Sequence, residues 1–306
     1  MKNFDLGISY VWEFDEDFLN LLERKLQFSG HSTFRITSYN ILEVTEKVLS
    51  KKLSFNFYLD RASDVDEDFE LLARILTKRK TKIINDYKKT EQAIDKASMH
   101  LEFISAGLNV PHSIILPPQS EKENIYISLD DLAILGRPFI IKPCNTTGGG
   151  IGVVTGAETL KEVIEERITN YNDKYLLQQK IYPTILDGKR SWFRCFWALG
   201  EAIPTWWNDQ SHIYMAITEN ELEKFNLNEL IIITKKIAKI SELDFFSTEI
   251  VLNDTNKFIV IDYVNDQCDM RLKSKHTDGV PDSIVDRIID NLGKKIKKYK
   301  KQTGIN

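Results

Sequence analysis

Cysteine is scarce in this chain. The three residues, Cys144, Cys195 and Cys268, lie far apart and form no CxxC pair. They cannot all pair with one another and they lack zinc-ligand spacing, so neither a disulfide framework nor a zinc module is expected; a reducing cytoplasm is the simplest location. Positive charge is not in excess either. Lys and Arg number 41 against 45 Asp and Glu, a net charge of −4, which excludes nucleic-acid or anionic-membrane binding as the main activity. No apolar run approaches the roughly 18 residues that span a bilayer, and "MKNFDLGISYVWEFDEDF" turns acidic too soon for a secretory signal. The histidines, His31, His100, His112, His212 and His276, are scattered without metal-ligand spacing; only His276, close to an acidic stretch, is worth following. Repeats and low-complexity linkers are absent. The one basic cluster, "KKIKKYKK" (294–301), reads as the solvated face of a fraying last helix.

What is present reads as a globular chain of 306 residues, 42% hydrophobic and 28% charged, enough for about two domains. Over the first ninety residues strand patterns alternate with helical ones: "FDLGISYVW", a helix over 15–30, "STFRI", a helix after Asn40 as N-cap, "SFNFYLD", a helix over 66–79, and "TKIIN". That alternation is the signature of a small parallel α/β unit. No GxGxxG follows its first strand, so a dinucleotide fingerprint is missing. The pattern then changes. One amphipathic helix is expected over 88–108, closed by Gly107, then an extended "VPHSIILP" and a short helix capped by Ser128. A strand–loop–strand, a helix and "KYLLQQKIY" follow. Two long strands, "SWFRCFWAL" and "EAIPTWWN", precede a helix over 227–243. A hairpin of "FFSTEIVLND" and "NKFIVIDYVND" turns at Asp254–Asn256. Long antiparallel strands after a parallel unit indicate an α+β second region.

The glycine-rich stretch "IIKPCNTTGGGIGV" can cradle an anion on its backbone N–H groups. It fails the Walker A pattern, because no Lys-Ser/Thr follows the glycines. Its lysine, Lys142, sits on the incoming strand instead, which suits a flap of glycines over phosphates with the lysine on the floor. An ordinary glycine hairpin with a surface lysine fits equally well. Near the ends of the last strand pair stand Glu249, Asp262 and Asn265. Acidic side chains inside runs as apolar as "STEIVL" and "FIVIDYV" are costly to desolvate unless paired or metal-bound, and cross-strand carboxylates with phosphate oxygens suit Mg²⁺; a solvent-facing edge is the bland alternative. Arg194 and Arg271 are either structural ion-pair arginines or partners of a transferring phosphoryl group. Cys144 lacks a His-containing partner motif and reads as a small buried hydrophobe. The aromatics of "SWFRCFWALGEAIPTWW" read mainly as core. Asp60 and Arg61, at the edge of a parallel sheet where ligands tend to bind, read first as a plain loop ion pair.

Taken in order, these segments resemble the ATP-grasp superfamily of ATP-dependent carboxylate–amine ligases. The resemblance implies a small α/β domain over 1–85 and an ATP-grasp domain over 86–306. The latter would divide into an α+β subdomain with the glycine lid (about 110–182) and one with the metal strands (183–306), nucleotide held between them. It implies ATP as cofactor, with phosphates held by Lys96 of "KKTEQAIDKASMHLEF", by Lys142 of "GRPFIIKP", and by Thr147, Gly148, Gly149 and Gly150 of the lid. "YLLQQKI" is similar to the adenine hinge, giving Gln178 and Gln179 side-chain or carbonyl roles and Ile181 a backbone N–H role. Glu249, Asp262 and Asn265 would hold one or two Mg²⁺, with Mn²⁺ as a substitute.

The implied reaction forms an acyl phosphate and then an amide, releasing ADP. Arg271 is expected at the acyl phosphate, Arg194 at the nucleotide phosphates and Lys142 beside them, the two arginines being exchangeable. Substrates would be a small carboxylate and an amine, amino acids or a peptide among them, with neither nucleic acid nor membrane as partner; a homodimer stays open. A hydroxyl-phosphorylating kinase and a non-catalytic nucleotide-binding module are the competing readings. Two departures from the family pattern stand out. The second metal strand usually reads Glu-x-Asn, whereas two residues separate Asp262 from Asn265, which requires a bulge or puts Tyr263 in the acidic slot. Ile151 stands where a basic residue is frequent. The segment 266–282 has no family counterpart.

Overall fold

The computed structural model describes residues 1–145 and 150–304. The first unit alternates β1 (Lys2–Tyr10), α1 (Glu16–Phe28), β2 (Thr33–Ile36), α2 (Ile41–Leu49), β3 (Leu53–Arg61), α3 (Glu67–Lys78) and β4 (Lys82–Ile84). Its strands form a parallel sheet in the order β2-β1-β3-β4. Consecutive residues are buried from Asp5 to Ser9 in β1 and from Phe55 to Leu59 in β3, as cover on both faces of a parallel sheet requires. Asn40 precedes α2 but does not cap it. Its side chain turns back instead, accepting from the Thr37 N–H at 2.9 Å and donating to the Arg35 carbonyl at 3.1 Å.

The second layer holds α4 (Tyr87–Ile94), α5 (Lys96–Ser105), β5 (Ser113–Leu116), α6 (Leu129–Leu135), β6 (Phe139–Pro143), β7 (Val154–Ala157), α7 (Leu160–Thr169) and β8 (Tyr175–Gln179). Its antiparallel sheet runs β5-β8-β6-β7. The single helix expected over 88–108 is broken at Asp95. That residue is extended (ψ 101°), and its carboxylate caps α5 by accepting from the Ala97 N–H at 3.0 Å and the Ser98 hydroxyl at 2.8 Å. The break makes Lys96 the first residue of a helix.

The third layer begins with a small hairpin, β9 (Ile185–Leu186) and β10 (Lys189–Arg190). It continues through β11 (Trp192–Ala198), β12 (Glu201–Trp207), β13 (Tyr214–Ala216), α8 (Glu219–Lys224), α9 (Asn228–Ser241), β14 (Phe245–Leu252) and β15 (Phe258–Asn265), and closes with α10 (Asp282–Thr303). The five-stranded antiparallel sheet runs β13-β12-β11-β14-β15. Strand alternation divides the aromatic segment. Phe193, Cys195 and Trp206 enter the core under α9, while Trp192, Arg194 and Trp207 are only partly buried. The expectation of an aromatic core therefore holds for half of these side chains.

Residues 266–281 form a strap between β15 and α10 that packs back on the first unit. Cys268, Met270, Leu272 and Val280 share a core with β1, α1 and α10. A Cβ at Gly279 would lie 2.6 Å from the Arg271 carbonyl oxygen, so the turn of the strap closes only on glycine. Arg61 pins the strap. Its guanidinium grips Asp15 at 2.6 and 2.7 Å and donates to the Cys268 carbonyl at 2.9 Å, all buried. Arg61 is thus a structural ion pair. The basic stretch of α10 presents Lys294, Lys297, Lys298 and Lys301 to solvent as expected, while Ile284, Ile288, Leu292 and Ile296 are buried and Lys295 and Lys300 pair with Asp244 and Asp5. Among the described residues no helix is long and apolar enough to cross a membrane.

Candidate active site

The site grows out of the pairing of β14 with β15. Glu249 stands opposite Asp262, Val251 opposite Ile259, and Ser247 opposite Asn265, with a register shift on each side of the Glu249–Asp262 pair. Each shift leaves one extra residue in β15, a β-bulge. Because directly paired residues share a face, the two bulges put Ile259, Asp262 and Asn265 beside Val251, Glu249 and Ser247 although they are three apart in sequence. Tyr263 turns the other way. It is 1% exposed, packs edge-on to Phe103 and shares a 2.5 Å hydrogen bond with His100 Nδ1. It does not occupy an acidic slot.

Three cations meet the two carboxylates. Lys96 donates its backbone N–H to the Cys144 carbonyl at 3.2 Å, and its Nζ lies 3.9 Å from Asp262 Oδ1. Lys142, on β6 and 7% exposed, donates to the Ile261 carbonyl at 3.2 Å, so it reaches from the four-stranded sheet to the five-stranded one. Arg194, opposite Glu249 on β11, donates to Glu249 Oε1 and to the Tyr214 hydroxyl at 3.2 Å, and lies 4.7 Å over the Trp207 ring. Trp192 completes the grip, its indole N–H donating to Glu249 Oε2 at 3.0 Å.

The electrostatics follow from burial. Burial lowers the Lys142 ammonium, against the pull of Asp262, while Lys96 lowers it further and Glu249 raises it. Burial would raise the Asp262 carboxyl, but Lys96, Lys142 and Arg194 hold it below its ordinary range. Burial opposes the Arg194 charge too, and Glu249 more than restores it. With three cations against two carboxylates the pocket keeps a positive excess, which suits a polyphosphate.

The other expected residues fall differently. Gln178 lies in β8 between β5 and β6, so its backbone is inside the sheet. Its Nε2 is 3.5 Å from the Tyr263 hydroxyl, and its buried Oε1 has no partner among the described residues. Gln179 donates its N–H to the His112 carbonyl at 2.8 Å. Ile181 packs with Trp192 on Val251, Ile259 and Ile261, an apolar patch beside the carboxylates. Thr147, Gly148 and Gly149 lie outside the described residues. Gly150 has a positive φ of 80° with nothing near its Cβ position, and Ile151 is 72% exposed. Arg271 is not among the residues gathered on Glu249 and Asp262. Its fork is taken by Asp269 at 2.7 Å and Asp278 at 2.9 Å, its face lies 5.7 Å from the Trp12 ring, and hydrogen bonding to Asp269 raises it well above the usual arginine range. That geometry makes it an anchor of the strap, and the arginine beside Glu249 is Arg194. His276 stacks edge-on to Phe14. Cys144 is buried, and burial pushes its thiol up to about 12, which disfavours the thiolate and agrees with a small buried hydrophobe. Trp192 and Tyr214 were not singled out from sequence; their signal is shared parity with Arg194 on the sheet face.

Among the described residues no three of His, Cys, Asp and Glu gather as a metal cluster. Two carboxylates and an amide on one face are nevertheless a hard-oxygen donor set. It fits Mg²⁺, which commonly takes one or two protein carboxylates and completes its shell with phosphate and water oxygens. Each oxygen of Glu249 accepts one hydrogen bond and keeps a second lone pair.

The whole architecture is shared with solved structures. A D-alanine–D-alanine ligase from Bacillus anthracis, complexed with ATP, aligns at TM-score 0.65 and 14% identity over 98% of this chain and 99% of that one. A RimK domain ATP-grasp protein from Sphaerobacter thermophilus aligns at 0.60 and 16%, over 94% and 98%. The ligase PsnB, complexed with minimal precursor, Mg and ADP, aligns at 0.62 and 13%, over 94% and 97%. At these identities the likeness is one of fold. No protein-family model matches the sequence, and no curated protein does.

Proposed function

We propose, from the ATP-grasp fold that this chain has, that it is an ATP-dependent ligase joining a carboxylate to an amine through an acyl phosphate. The observation that carries this reading is the convergence of Lys96, Lys142 and Arg194, from three separate elements, on the Glu249–Asp262 pair. Lys142 and Lys96 would hold phosphate oxygens from the floor. The glycines of the lid, Gly148 to Gly150 with Thr147, would cover them with backbone N–H groups. Ile181, Trp192, Val251, Ile259 and Ile261 offer an apolar wall for adenine.

Glu249, Asp262 and Asn265 would hold Mg²⁺, or Mn²⁺ in its place, which when bound neutralises charge on the phosphates. The substrate carboxylate oxygen attacks the γ-phosphorus and the bridging oxygen leaves with ADP. Amine nitrogen then attacks the acyl carbon and phosphate leaves. The chain's contribution is placement and charge: Arg194, anchored by Glu249 and Tyr214, keeps a fixed positive face beside the transferred group. Among the similar proteins one is a D-alanine–D-alanine ligase and another is solved with a precursor peptide. An amino acid or a peptide is accordingly the acceptor class assigned here.

The test is product analysis with Mg-ATP and paired carboxylates and amines. ADP and phosphate forming only when both substrates are present, with a product lighter by one water than their sum, supports the ligase. A stable phosphorylated product, or turnover without an amine, overturns it.

A further inference from the structure

Glu249 is held in an unusual way. Arginine–carboxylate pairs are frequently forked, with both oxygens on the guanidinium. Here only Oε1 meets Arg194, while Oε2 accepts from the Trp192 indole at 3.0 Å. Trp192 and Arg194 are two apart on β11, so both project from the face that carries Glu249. An indole N–H offers one hydrogen bond and no charge, so it turns the carboxylate away from the guanidinium without neutralising it further. The ring is itself wedged among Ile181, Val251, Ile259 and Ile261. With its nitrogen anchored on Glu249 and its rings in that cluster, the side chain has little freedom to rotate.

We propose that Trp192 is a positioning residue for Glu249, its indole N–H keeping one carboxylate oxygen off Arg194 so that Glu249 holds a divalent cation together with Asp262. The inference rests on the metal assignment made above and goes beyond it by naming the group that makes Glu249 competent. Without the indole donor, Glu249 swings into a forked pair with Arg194, and its lone pairs face the guanidinium instead of the pocket. Partners that orient metal ligands are typically worth about 10- to 100-fold in metal affinity.

The experiment titrates Mn²⁺, followed by electron paramagnetic resonance, into full-length protein saturated with a non-hydrolysable ATP analogue. It compares wild type, Trp192→Phe, Glu249→Gln and the double variant. Trp192→Phe is expected to weaken Mn²⁺ by about tenfold or more at saturating analogue, a larger loss than it causes in metal-free binding of the analogue, whose adenine lies against the same side chain, and to add nothing to the Mn²⁺ loss in the Glu249→Gln background. A merely structural tryptophan would show a lowered melting temperature and equal losses for analogue and metal, which overturns the proposal. If Glu249→Gln weakens Mn²⁺ and Trp192→Phe does not, the positioning role is wrong and the metal assignment stands. If Glu249→Gln itself leaves Mn²⁺ unchanged, the metal assignment falls and the inference with it. Should Trp192→Phe not fold, benzothienylalanine at 192 keeps the ring shape without the N–H donor and makes the same comparison.

Discussion

Replacing Lys142 by methionine tests the phosphate assignment most directly, because the site gives opposite expectations for binding and for stability. The lysine is 7% exposed, and burial already works against its charge. A phosphate oxygen about 4 Å from the ammonium, at an effective dielectric near 20, is attracted by about 4 kcal/mol; charge-assisted hydrogen bonds alone account for about 1.5–3 kcal/mol. Loss of about 3–4 kcal/mol weakens ATP by roughly 100- to 1,000-fold. Adenosine touches only the apolar wall in this reading and should change by less than about twofold. Methionine fills a similar volume and removes a buried charge, so the melting temperature should hold or rise despite the donor lost by the Ile261 carbonyl. Calorimetric titration of ATP, ADP and adenosine against both proteins, with a thermal melt of each, measures all of this. Equal losses for ATP and adenosine would show that the variant damages the pocket generally, and an unchanged ATP affinity would remove Lys142 from the phosphates.

Three more expectations follow from the same geometry. Asp262→Asn should lower turnover by about a hundredfold or more while adenosine binding stays within about twofold; steady-state assays beside calorimetry decide, and unchanged turnover removes Asp262 from the metal set. Asp15→Asn leaves the buried Arg61 guanidinium without its counter-charge, and urea unfolding should show a loss of about 3–5 kcal/mol; a loss under about 1 kcal/mol would mean that Arg61 escapes to water. His100 is lowered to about 4, from an ordinary 6.5, chiefly by burial and then by the charge of His112. The unfolded chain therefore takes up the proton first. Stability is full above pH 6.5 and declines as pH falls toward 4, by up to about 3 kcal/mol. His100→Gln should flatten that slope in pH-dependent urea melts, and an unaltered slope would assign the loss to other groups.

Local rules read much of this molecule correctly, and the errors share a cause. Alternating apolar patterns separate the parallel first unit from the antiparallel sheets, since burial on two faces and on one face leave different periodicities. The mistakes arise where a short polar side chain satisfies the backbone in a way that periodicity does not register. Asp95 breaks an apparently continuous apolar stripe because its carboxylate caps the helix that follows; the segment Asp95-Lys96-Ala97-Ser98 holds that cue. Asn40 faces backward into its turn. Arg271 looked like a phosphate ligand because it follows the acidic strand closely, yet Asp269 lies two residues before it and Asp278 returns to it around the Gly279 turn. Local carboxylates won the competition for that guanidinium, and Arg194, farther away in sequence, is adjacent in the sheet.

The spacing from Asp262 to Asn265 shows the limit most clearly. A strand of period two sends residues three apart to opposite faces, so the sequence admits either an altered carboxylate set or a distortion of the ladder. Two bulges in β15 decide it, one on each side of Asp262. Both are absorbed by residues with somewhere apolar to go: Ile261 joins the patch with Ile181 and Trp192, and Tyr263 enters the core against Phe103 and His100. The bulges thus reflect the distribution of apolar side chains between two cores, a property of packing partners far away in the chain. The same distortion exposes the Ile261 carbonyl that Lys142 bonds. Deleting Val264 would shorten the interval after Asp262 and restore simple alternation. It would then draw Asn265 to a Glu-x-Asn spacing while pulling the chain that leads to Cys268 and the strap. The spacing is therefore fixed jointly by the oxygen face and by the attachment of the strap.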